Sequence, residues 1–212
     1  MVEQERDPSV AGEDRRQSLV RAAFDCIAAG GFEGLRTRSV AERAGVNIAT
    51  LHYYFPTKEA LIAGVAEYLA SQFIALHAMP VRSTGSAALD CLHQEFADAR
   101  FYRAKHPDLS AVMLELHLRG RRDPAIRKVI DPLIGHWRAG IERWMKVGIV
   151  EGVFRRDLDV SAGSTLFVSA LWGATSLALS AGKLEQIFEE VSRWLLASAA
   201  QLESKRNRRT KP

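Results

Sequence analysis

Residues 30–65, GGFEGLRTRSVAERAGVNIATLHYYFPTKEALIAGV, restrict the fold more than any other stretch of the chain. They read as two short helices around a glycine turn, followed at once by a longer helix. Thr37 offers its hydroxyl as an N-cap for a helix from Arg38 to Ala44, with Val40, Ala41 and Ala44 facing inward. Gly45 stops that helix, because glycine adopts positive φ at little steric cost, and Val46 can pack back into the angle that follows. A second helix is predicted from Ile48 to Tyr54. Pro56 ends it, since the residue before a proline is pushed away from helical dihedrals. Thr57 then caps the next helix, with Glu59 near its positive end.

With the preceding helix QSLVRAAFDCIAAGGF, this stretch resembles the N-terminal domain of the TetR family of transcriptional regulators. The AERAGV turn, the TLHYYF recognition helix and the TKEAL start of helix four carry the resemblance, over roughly residues 15–68. It implies an all-α protein with an N-terminal three-helix helix-turn-helix DNA-binding domain, residues 15–60. A helical ligand-binding and dimerisation domain would follow over 61–202. A recognition helix enters the major groove by its N-terminal part, which puts Asn47, Ile48, Ala49 and Thr50 nearest the base edges. Ala49 and Thr50 can offer methyl groups to thymine. His52 and Tyr53 stand where the family usually places phosphate contacts. Arg36, Thr37 and Arg38 open the first short helix, and the Arg38 guanidinium suits guanine or a phosphate. Lys58 resembles the family's phosphate-binding lysine, facing the same anion as the helix N-terminal amides. Arg36, Asn47, Ala49 and His52 depart from the commonest family residues, which leaves the operator sequence unread.

Composition excludes more than it selects. The chain has 212 residues, 47% apolar and 25% charged, ordinary for a soluble globular protein. The formal net charge of +4 mildly suits a polyanionic partner. Residues 1–14 are acidic and expected to be disordered, and residues 203–212 form a basic tail. Cys26 and Cys91 make no CxxC pair, so a disulfide framework is not expected; Cys26 falls on the apolar stripe of helix one with Leu19, Ala23 and Ile27. The longest apolar run, LFVSALWGATSLAL, is too short and too rich in Ser, Thr and Gly to span a bilayer, so a cytoplasmic protein with no membrane partner is expected. The histidines are scattered and Glu115 and His117 do not share a helix face. No G-x-S-x-G or phosphate loop is present. No catalytic residue, metal site or cofactor is therefore expected.

The rest reads as helices: Thr57 to Ala78, Ala87 to Lys105, Leu109 to Leu118, and Pro124 to Val150 with Pro132 kinking or dividing it. Two more are expected, Val160 to Ser180 and Leu184 to Leu202, separated by an Ala-Gly-Lys turn. Leu166, Ala170, Gly173, Ala174 and Leu177 on the first, with Ile187, Val191, Trp194 and Leu195 on the second, form apolar stripes. By the resemblance, these would pair with a second copy in a four-helix bundle, giving a homodimer. Phe101, Tyr102, Met113, Leu116, His117, Trp137 and Trp144 are the expected lining of a pocket for a mainly hydrophobic small-molecule inducer. The reading is thus a repressor that leaves a palindromic double-stranded operator when inducer binds, with helix four acting as a lever. A constitutive architectural DNA binder and a small helical enzyme are the alternatives; the first leaves residues 87–150 without a purpose.

Overall fold

The computed structural model describes residues 8–76, 78–177 and 179–197. Among these the helices are α1 (Pro8–Gly34), α2 (Thr37–Arg43), α3 (Ile48–Tyr54), α4 (Lys58–Ala75), α5 (Ala87–Lys105), α6 (Pro107–Gly120), α7 (Pro124–Glu151), α8 (Val160–Ser176) and α9 (Ala181–Leu195). The all-α reading is correct. The only bridge among the described residues, Phe154 with Leu196, is isolated.

Several boundaries differ, each for a local reason. Residues 8–14, expected to be disordered, belong to α1. Thr37 is not the cap of α2: Arg36 takes the N-cap position in extended conformation, without a side-chain hydrogen bond, and Thr37 is already helical. Helix α4 stops at Ala75, five residues ahead of Pro80, and α8 at Ser176. The Ala-Gly-Lys segment is the first turn of α9, because the Ser180 hydroxyl accepts from the Lys183 N–H at 3.2 Å and starts the helix there. The basic tail and the stretch up to Leu202 lie outside the described residues.

The chain divides into two compact units. Residues 8–76 and 107–132 make the first: α1 to α4, α6 and the start of α7. Residues 78–106 and 133–197 make the second: α5, the rest of α7, α8 and α9. The division departs from the expected boundary at residue 60, since α6 packs on α1 and α4 instead of joining the later helices. Helix α7 is not split by Pro132, yet the division between units falls at that residue. The proline lacks an N–H, so the helix gives up one backbone hydrogen bond there.

In the first unit α1 packs on α4 and α6, and Leu19, Ala23 and Ile27 of α1, Leu61, Val65 and Leu69 of α4 and Leu109, Val112 and Leu116 of α6 are all buried. Helix α1 breaks at Gly30 and Gly31, where Gly31 takes φ of 61°. A Cβ there would be strained and would also meet the Glu115 carboxyl at 3.2 Å. The second unit is built on aromatic rings. Phe96 stacks on Phe188 with centroids 4.4 Å apart, and Trp144 stands edge-on to Phe154 and Phe167.

Candidate nucleic-acid interface

The helix-turn-helix is assembled by few contacts, each traceable to its residue. Gly45 has φ of 66° and reverses the chain after α2, while the Val46 N–H returns to the Ala41 carbonyl at 3.0 Å. Val40, Ala41, Leu51 and Phe55 are buried and hold α2 and α3 to the rest of the unit. Leu51 and Phe55 lie four residues apart, so a single face of α3 is pinned inward and the opposite face is presented outward.

That outward face carries the expected DNA residues. Arg36, Thr37, Arg38, Asn47, Ile48, Ala49, His52, Tyr53 and Lys58 are all exposed, and Thr50 is half-buried. Tyr53 is 80% exposed, its ring meeting only the edge-on ring of Tyr54 at 5.1 Å and otherwise open to a partner. Asn47 does more than the sequence reading assigned to it. It is the N-cap of α3: its Oδ1 accepts from the Thr50 N–H at 2.7 Å and from the Thr50 hydroxyl at 3.0 Å. With its proton so engaged, the Thr50 hydroxyl keeps acceptor capacity and its methyl group for a base edge.

The cations differ in readiness. Arg38 Nε donates to Glu42 Oε1 at 2.9 Å, an exposed pair one helical turn apart. Such pairs contribute about 0.3–0.5 kcal/mol, so exchanging Glu42 for a phosphate or guanine is cheap. Lys58 begins α4, capped by Thr57 through the Ala60 N–H at 3.1 Å, and its ammonium lies 4.5 Å from the centre of the Phe32 ring. Arg43 pairs with Asp25 at 3.7 Å. Beneath them Cys26 is buried. Desolvation pushes its thiol up, only partly opposed by Arg43, so it stays protonated at neutral pH.

Residues 19–65 match the family model for the bacterial regulatory proteins of the tetR family. The chain's N-terminal helix-turn-helix is that of the TetR family. The chain is 28% identical over 141 residues to the transcriptional repressor KstR of Mycobacterium tuberculosis, a match covering 63% of each chain. To the transcriptional regulator RutR of Escherichia coli it is 38% identical over 61 residues, 29% of each. The chain thus spans less than two thirds of the length of these relatives. A TetR transcription regulator from Haloarcula marismortui shares the fold, with a TM-score of 0.72 at 22% identity, covering 87% of this chain and all of that one. Both curated relatives are transcriptional regulators, and the stretch matched by the family model holds the helix-turn-helix of α2 and α3.

The other expected sites are less unified. Met113, Leu116 and His117 fall in the first unit, whereas Phe101, Tyr102, Trp137 and Trp144 fall in the second. Leu116 and Trp144 are closed into the respective cores. In the second unit the Trp137 indole donates to Glu95 at 2.9 Å. Burial, and then the charges of Asp98 and Glu95, push the Tyr102 hydroxyl far above the ordinary tyrosine range. The Trp144 Nε1 is buried without a hydrogen-bond partner among the described residues. Of the stripes expected to meet a second copy, Ala174 and Leu195 must be withdrawn: they are 2% and 0% exposed inside the core of their own unit. Leu166 and Leu177 are 52% and 59% exposed, and Ala170 and Gly173 are half-buried. Ile187, Val191 and Trp194 are partly buried against the same core.

Sequence reasoning weighed Glu115 only as a possible partner of His117 and missed its structural contact. Its carboxylate accepts the Phe32 N–H at 3.0 Å, fastening α6 to the end of α1 across 83 residues. No local signal announces such a contact.

Proposed function

We propose that this chain is a homodimeric repressor that binds a palindromic operator through α3 of each copy and releases it on binding a small molecule. The observation that carries the DNA reading is the division of α3 into a buried face, Leu51 with Phe55, and an exposed one led by Asn47, Ile48, Ala49 and Tyr53. Two such helices read successive major grooves when their centres stand roughly 34–36 Å apart. The exposed Leu166 and Leu177, with Ala170 and Gly173 between them on α8, support a second copy packing there.

For the ligand, the support lies in the second unit. The unpartnered Trp144 indole N–H calls for an acceptor, and Phe101, Tyr102 and Trp137 are half-buried around α5 and α7. A mainly hydrophobic molecule with one hydrogen-bond acceptor answers both. Met113 and His117 lie half-buried on α6 in the first unit. Ligand and operator oppose each other reciprocally: whatever factor the ligand takes from DNA affinity, DNA takes from ligand affinity.

The test compares Lys58→Ala with Thr50→Ala on duplexes selected from a random pool by the wild-type chain. Lys58→Ala weakens selected and scrambled duplexes alike, whereas Thr50→Ala mainly changes which sequences are preferred. Equal shifts for both variants on both duplexes overturn the assignment of this face.

A further inference from the structure

Phe32 is an unusual platform. Its ring is nearly buried, and two cations from different helices stand over it: Lys58 Nζ at 4.5 Å from the centroid and Arg119 Cζ at 4.9 Å. Lys58 opens α4, but Arg119 comes from the last turn of α6, outside the helix-turn-helix altogether. Laid end to end, those distances bring the two charges within about 9.4 Å of each other.

Like charges gathered on one ring repel each other, a cost that an anion bound between them offsets. Arg119 is exposed and makes no ion pair among the described residues, so its guanidinium donors face outward unused. Arg121 and Arg122 follow it in the turn, also exposed and in no ion pair among the described residues. The carboxylate one turn earlier, Glu115, accepts the Phe32 backbone N–H and anchors α6 at this spot, without an ion pair to Arg119 among the described residues. The ring contacts restrict where each cation can go, so little side-chain freedom is lost when an anion binds.

The geometry points to Arg119 as a DNA phosphate contact supplied by α6, extending the cationic edge that Lys58 begins. The inference rests on the reading of α3 and Lys58 as the DNA-facing surface. The spacing suits the partner: neighbouring phosphates of one strand are offset by about 3.4 Å of axial rise plus the turn of the helix, so two cations no more than about 9.4 Å apart suit adjacent phosphates. A guanidinium forks onto phosphate oxygens in a way an ammonium does not.

The experiment uses the full-length chain and a duplex selected by the wild type from a random pool, with a scrambled duplex beside it. Affinity is measured across a salt series for wild type, Arg119→Gln, Arg119→Lys and Lys58→Gln, with thermal melting of each. Arg119→Gln is expected to weaken both duplexes several-fold and to lower the log-log salt slope by about 0.9, as one lost phosphate contact does, with Arg119→Lys restoring most of the slope. Phosphate-ethylation interference should lose one position in Arg119→Gln, near but distinct from the one lost in Lys58→Gln. Unchanged affinity in Arg119→Gln overturns the proposal. So does weaker binding with an unchanged slope and a lower melting temperature, which marks Arg119 as packing alone. If Lys58→Gln lowers the slope and Arg119→Gln does not, the DNA-facing surface stands and this extension of it falls. A wild-type chain that selects no duplex overturns both.

Discussion

Replacing Asn47 separates two duties that one side chain performs at the start of α3. Its Oδ1 is the only side-chain cap of a two-turn helix, accepting the Thr50 N–H at 2.7 Å and the Thr50 hydroxyl at 3.0 Å. Asn47→Ala removes both, at the usual cost of an N-cap, about 1 kcal/mol within a range of roughly 0.5–2. For a chain of this size that lowers the melting temperature by about 2–4 °C. It also releases the Thr50 hydroxyl, so sequence preference shifts as well as affinity. Asn47→Asp keeps the acceptor and sets a negative charge near the positive end of α3, so the melting temperature holds or rises slightly. The same charge faces the phosphates. Repulsion on the order of 1 kcal/mol at 4 Å in water means about fivefold weaker binding, most visible at low salt. Thermal melting with fluorescence anisotropy on a selected duplex reads both effects. If Asn47→Asp binds as tightly as the wild type, or Asn47→Ala leaves melting and binding untouched, the cap does not lie at a DNA-facing helix start and the reasoning fails.

Two further outcomes test the second unit. A Cβ built at Gly173 meets nothing within 4 Å, so Gly173→Glu should fold yet set like charges against their symmetry copies; sedimentation should show a monomer, and a persistent dimer would place the interface elsewhere. Gly148 abuts the buried Phe154 ring, and a methyl group there has no room. Gly148→Ala should destabilise by about 1–3 kcal/mol through overpacking, more than the roughly 1 kcal/mol of helix propensity it gains, and an unchanged melting temperature would show that the ring moves freely.

Helix α3 and helix α5 were legible to the residue, because punctuation brackets each of them: Gly45 and Pro56 around one, Ser86 and Pro107 around the other. Asn47 as a cap was also within reach of the sequence, since asparagine before an apolar-periodic run is a common helix start. The stripes on α8 were read too broadly. Gly173 and Ala174 are neighbours about 100° apart on the helix, and small side chains alone do not say which of them faces a core. Least legible was α6. Its place on α1 depends on Leu109, Val112 and Leu116 and on Glu115, none of which differs in kind from residues that cover a pocket, so periodicity gave no address for the helix.

The Phe32 N–H waits for a carboxylate that lies 83 residues downstream. On a ribosome adding about 5–20 residues per second, that interval is on the order of ten seconds, during which the α1 surface that α6 will cover stays open to chaperones and to other nascent chains. The same discontinuity sets the rule for transplanting this DNA specificity into another regulator. A graft cut at residue 65, where the family match ends, would carry the reading helices without the helix that covers α1, and would arrive with an apolar flank the host never evolved to mask. The transplantable piece is a pair of segments, and a recipient must either bring both or offer its own helix with an acidic residue at the place of Glu115.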